Sequence, residues 1–138
     1  MDRLHEKYSG KIRMEVHHMP WSEKSSQAAE ASLCAAEQGK FWEYHKMLFY
    51  YQGKWSANDQ PKENFMEYAE YVGLSQQEFS SCLDSHKMMD KVIQDKSYGK
   101  SLNINTTPTI FINKERIVGN NPIEIYEAVI ERELKEKE

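Results

Sequence analysis

Cysteine placement decides most about the redox chemistry open to this chain. There are two, Cys34 and Cys82, 48 positions apart, so no Cys-x-x-Cys exists anywhere in the 138 residues. A reactive pair needs a thiolate of lowered pKa, typically at a helix start, with a resolving partner close by. Neither cysteine has these in the sequence. The two read either as a disulfide between helices or as a pair of buried free thiols, which are among the most buried of side chains. A bridge would close a loop worth about 4 kcal/mol on the chain-entropy estimate.

Histidine raises the question of metal, because Cys82 and His86 stand four apart and His17, His18 and His45 lie elsewhere in the chain. No second close-spaced ligand pair completes a set of four, so no metal is expected. No cofactor is expected either. The six glycines are scattered at helix ends and turns rather than gathered into a phosphate-binding loop, and no Ser-His-Asp order or paired-carboxylate context stands out. Phe41, Trp42, Tyr44, Phe49, Tyr50 and Tyr51 offer rings for stacking a ligand, yet aromatics at helical spacing are usually core. Met14, Met19, Met47, Met66, Met88 and Met89 suit either an adaptable apolar groove or an irregular core.

The elements that must position these residues follow from pattern. Residues 11–19 alternate Ile12, Met14 and Val16 with Arg13, Glu15 and His17, the period of a half-buried strand, closed by Pro20. Helix-forming residues run from Ser25 to a stop at Gly39. Residues 41–51 are too apolar for one narrow stripe and are expected to pack on two sides, and residues 55–60 read as a polar linker. Pro61 opens a helix that Gly73 ends, and Ser75 with Glu78 forms a capping box for the next, reaching about Ser85. An amphipathic stretch over 87–100 stops at Asn103. Two short strands, 109–113 and 116–118, make a hairpin, and Asn121 as N-cap with Pro122 at the first helical position opens a final helix through Leu134. This is one α/β domain over 1–138 with a helical insertion at about 25–100.

Three segments, in this order, carry a resemblance: Ala35-Ala36-Glu37-Gln38-Gly39-Lys40-Phe41-Trp42-Glu43-Tyr44-His45, Thr107-Pro108-Thr109-Ile110-Phe111-Ile112-Asn113, and Ile117-Val118-Gly119. Together they resemble the DsbA-like thioredoxin-fold family of disulfide oxidoreductases. The resemblance implies a thioredoxin-like sheet, incomplete at its N-terminal side, with a large all-helical insertion. Residues 1–9 look like the end of the family's active-site helix and 11–19 like its second strand. The first strand and both catalytic cysteines have no counterpart, so no catalytic residue is assigned. Truncation of a longer gene product is the simplest expectation, with the vacant strand position closed up, or filled by an upstream segment or a second copy.

The same resemblance makes Thr107-Pro108 the family's cis-proline motif, with Thr106, Thr107 and Pro108 binding an extended or unfolded polypeptide. Thr106 stands where the family usually has Gly, and Asn103 where a helix-ending Gly is typical. Some extracytoplasmic relatives carry a structural disulfide in the inserted helices, which bears on Cys34 and Cys82.

Two functions follow. One is an oxidoreductase domain whose catalytic strand lies upstream; the other is a redox-inactive peptide-binding module of the same fold. The formal charge of -4 and a pI near 5.8 disfavour nucleic acid. No run approaches the ~18 apolar residues of a membrane helix, and the start lacks the apolar core of a signal peptide. As written the chain is expected in the cytoplasm; as a truncated family member, outside it.

Overall fold

Helix stop and start signals partition this chain more sharply than its hydrophobic periodicity does. The computed structural model describes residues 1–138. In chain order the elements are α1 (Asp2–Lys7), α2 (Glu23–Glu37), α3 (Phe41–Tyr50), α4 (Gln52–Ala57), α5 (Pro61–Tyr71), α6 (Gln76–Asp84), α7 (Met89–Ser101), β1 (Thr109–Ile112), β2 (Glu115–Val118) and α8 (Ile123–Glu136). They fall into two units, residues 18–98, and residues 1–17 with 99–138.

The first of these is all helical. Ser22 accepts from the Ser25 amide to start α2, and Gly39, at φ +74°, ends it: the Gly39 amide donates to the Ala36 carbonyl and the Lys40 amide to that of Ala35. That is a Schellman closure, which needs a left-handed residue just past the helix. Gly73 repeats it after α5, at φ +81°. Small residues on α2, Ala28, Ala31 and Ala35, let α3, α5 and α6 approach closely around buried Tyr44, Phe65 and Phe79.

Several local expectations are corrected here. Ser75 caps α6 by accepting from the Glu78 amide, but its own amide donates to Gln38 Oε1 at 2.8 Å, so the return half of the capping box is made by another helix's end. The supposed linker at 55–60 begins inside α4, where Trp55 is buried and donates to the Leu48 carbonyl at 2.7 Å. In α3 Tyr44 and Leu48 are buried, Phe41, Trp42, His45 and Met47 are half-buried and Phe49 and Tyr50 are exposed, and the helix packs against both α2 and α5. Met47, Met66 and Met88 pack against the helical core instead of gathering in a groove.

The other unit holds the sheet. β1 and β2 pair antiparallel, Ile112 opposite Glu115 and Thr109 opposite Val118, across a two-residue turn in which Asn113 has φ +54°. Ile110, Ile112 and Ile117 lie against Leu4, Tyr8, Tyr126 and Ile130 of α1 and α8. The Tyr8 hydroxyl donates to Glu131 at 2.8 Å. Asn121 does not cap α8; its amide reaches back to the Val118 and Gly119 carbonyls, and Pro122 takes the cap position without a side-chain bond.

The strand expected at residues 11–19 does not form. The sheet has two strands, and residues 12–21 carry no regular secondary structure. The alternation itself survives, with Ile12, Met14 and Val16 half-buried and Arg13, Glu15 and His17 exposed. Period-2 side-chain burial is a local property, whereas a strand also needs a neighbour to complete its ladder. The segment has the first and lacks the second.

Candidate functional site

The loop leading into β1 is built by the end of α7. Asn103, at φ +58°, takes the left-handed position; its amide donates to the Lys100 carbonyl and that of Ile104 to Gly99, closing the helix as glycine does elsewhere. Asn tolerates that conformation better than other non-glycine residues. The Arg116 guanidinium reaches from β2 to the Leu102 carbonyl, tying the helix end to the hairpin.

Thr106, Thr107 and Pro108 follow, all three exposed, and the Thr107-Pro108 peptide is cis. The Thr109 hydroxyl donates to the Thr106 carbonyl at 2.6 Å, and the Pro108 carbonyl accepts from the Gly119 amide at 2.8 Å. Both ends of the loop are thus fixed. Thr106 is not among the left-handed residues, so a β-branched side chain is accommodated where the family usually has Gly. Beyond the loop, β1 has β2 on one side and no strand on the other. Arg116 lies over the exposed Phe111 ring at 5.0 Å, a cation–π pair across the hairpin.

Cys34 and Cys82 are joined in a disulfide between α2 and α6, with Cα atoms 5.9 Å apart. Cys34 is 1% exposed and Cys82 5%, and Cys34 sits in the last turns of its helix, away from any helix start. His86 is off the helix face expected to align it with Cys82, because α6 ends at Asp84 and His86 has φ +54°. Its Nδ1 pairs with the buried Glu30 carboxylate at 2.9 Å, one turn before Cys34. No group of three or more His, Cys, Asp and Glu side chains gathers at one point. Glu30 was not singled out from sequence, although an acid inside the apolar run Ala28, Ala29, Ala31 signals a buried partner. Asp95, also buried, accepts from the His18 amide at 3.1 Å and from Lys91 at 2.8 Å, fixing the start of the helical unit to α7.

Electrostatic shifts are concentrated away from the loop. Hydrogen bonding to Lys62 holds the Asp84 carboxyl below its ordinary value, against a smaller opposing effect of burial. Burial pushes the Tyr44 phenol far up, with Tyr68 adding to it.

An exposed proline loop opening a hairpin, a helix packed on that hairpin, and a helical segment inserted before it together define a thioredoxin-like fold. A family model described as thioredoxin matches residues 1–132, and the chain belongs to that family. Its fold is similar to that of a thioredoxin-like oxidoreductase from Silicibacter pomeroyi, with a TM-score of 0.70 at 22% identity over 86% of this chain and 66% of that one. It is 29% identical over 130 residues to the Na(+)/H(+) antiporter NhaA of Herminiimonas arsenicoxydans, which is 94% of this chain and 20% of the antiporter. A Rickettsia conorii protein provisionally named protein-disulfide oxidoreductase is 23% identical over 97% of this chain and 49% of its own length. The chain thus spans about a fifth of that antiporter and about half of the Rickettsia protein. No helix is long and apolar enough to cross a membrane.

Proposed function

We propose that this chain supplies the polypeptide-binding face of a DsbA-like thiol–disulfide oxidoreductase, with Thr106, Thr107 and Pro108 pairing with an extended polypeptide. The observation that carries this reading is an exposed loop, fixed at both ends, that leads into a strand flanked on one side only. Such an edge offers backbone groups to an added strand, and side chains beside it select what is added. Redox exchange is thiolate attack on a disulfide sulfur, forming a mixed disulfide that a second thiol resolves. We assign Cys34 and Cys82 a structural role instead, supported by their burial and their distance from a helix start. A disulfide of that kind also supports an oxidising compartment as the place of action.

Backbone amide shifts during titration with an extended, cysteine-free peptide test the reading. The expected shifts concentrate at Thr106, Thr107 and Thr109. Saturable binding with shifts confined to other residues removes the site.

A second reading, a redox-inactive binding module, is favoured by the engagement of both cysteines with each other. The same loop serves both readings. Redox activity on joining the chain to a Cys-x-x-Cys segment separates them.

A further inference from the structure

Within the helical unit, α3, α4 and α5 border a cleft of about 360 Å³ whose chemistry differs from that of the proline loop. Tyrosines form its walls. Tyr51 and Tyr68 stack with ring centres 5.3 Å apart and planes 13° apart, and Tyr71 stands beside them, 78% exposed. Two carboxylates on one face of α5, Glu67 and Glu70, line the same cleft, and neither takes part in an ion pair. The cleft holds one cation of its own, Lys54, whose ammonium lies over the Tyr51 ring at 5.1 Å.

Tyr68 is the least ordinary group here. It is 3% exposed, it lines the cleft, and its hydroxyl is buried without a hydrogen-bond partner. Asn64 lies near enough to influence the phenol without completing a hydrogen bond, its own oxygen accepting from Asn58. Burial raises the phenol pKa, and the Glu67 charge raises it further, so the group stays a neutral hydroxyl. A buried polar atom in a native structure is nearly always paired, and one that is not marks a site where a partner is absent.

Electron-rich ring faces, two uncompensated carboxylates and an unpaired oxygen ask for a cation with several donors. A guanidinium answers each: it is planar and stacks on aromatic rings, it stays charged, and its five N–H groups fork onto carboxylates. An ammonium matches the charge and lacks the plane. We propose that this cleft binds a guanidinium group of the arginine type, held by Glu67 and Glu70 against the tyrosine walls, with Tyr68 supplying a further acceptor. The site uses none of the proline-loop residues and does not depend on the reading given to them. The guanidinium takes the position over Tyr51 that the Lys54 ammonium holds, so Lys54 is its internal competitor.

Calorimetric titration of the full chain with N-acetyl-arginine amide, and with the isosteric neutral N-acetyl-citrulline amide, tests this. The arginine probe is expected to bind at least tenfold more tightly than the citrulline probe. Glu67→Gln with Glu70→Gln should weaken it tenfold or more, Tyr68→Phe several-fold, and Lys54→Met should strengthen it. Matched thermal melts establish that each variant folds. Free arginine and an arginine-containing peptide, run in parallel, distinguish a small-molecule source from a polypeptide one. Equal affinity for arginine and citrulline probes, or no loss in the double glutamine variant, overturns the proposal. Weakening by Lys54→Met also overturns it, since that is the behaviour of an anion site.

Discussion

Among the aromatic residues that carry a polar atom into the helical core, Tyr44 and Trp55 each meet a backbone carbonyl there. The Tyr44 hydroxyl donates to Phe65 at 3.0 Å and the Trp55 indole to Leu48 at 2.7 Å. With its phenol pKa driven up by burial, Tyr44 remains a donor well into alkaline solution. Tyr44→Phe removes a buried hydrogen bond to a carbonyl that keeps its partner within α5, and should cost about 0.5–1.5 kcal/mol in urea denaturation. For the disulfide, the expected pattern is a stability effect without a catalytic one. Reduction, or Cys34→Ser with Cys82→Ser, should lower stability by up to about 4 kcal/mol, the chain-entropy value for a loop of this size. Insulin reduction by the isolated chain should stay at background with or without Cys34→Ser. A rate above background that Cys34→Ser abolishes would overturn the structural assignment of Cys34 and Cys82.

Helix termini in this chain are set by single residues with defined conformations, and that makes them testable one at a time. Gly39 has φ +74° with open space around it, so Gly39→Ala meets no steric obstacle and should cost only the conformational term, about 1–2 kcal/mol, read as a lowered melting temperature. Asn103→Gly should be neutral or slightly stabilising at the equivalent point of α7. These ends were legible in the sequence because the signal and its consequence lie within a few residues of each other. The segment 11–19 shows the opposite case: its alternation was legible and is present as burial, but a ladder depends on a distant strand that local pattern does not specify. Trp55 in a polar stretch hid α4, since a helix of six residues is too short to display a period. The loop at Thr106, Thr107 and Pro108 was legible only by resemblance, and the partnerless Tyr68 hydroxyl was not legible at all, because it is a property of three-dimensional neighbours.

At the scale of the whole molecule, a two-stranded sheet is marginal by itself, and this one leaves β1 with a side that no strand covers. Such an edge is a template for further pairing. We propose that a strand from a second copy completes it in the isolated chain, and light scattering across a concentration series should then show association. A monodisperse monomer at all concentrations removes the proposal. The division into two units also governs how any of these measurements must be made. Trp21, Trp42 and Trp55 all belong to residues 18–98, while the sheet-bearing unit has no tryptophan. Indole emission therefore originates entirely within residues 18–98. A fluorescence melt follows indoles placed in one unit, and agreement with far-ultraviolet dichroism has to be measured before a single unfolding free energy is assigned. A tryptophan placed at the exposed Phe111 would put an indole inside the sheet-bearing unit and give it an optical signal of its own.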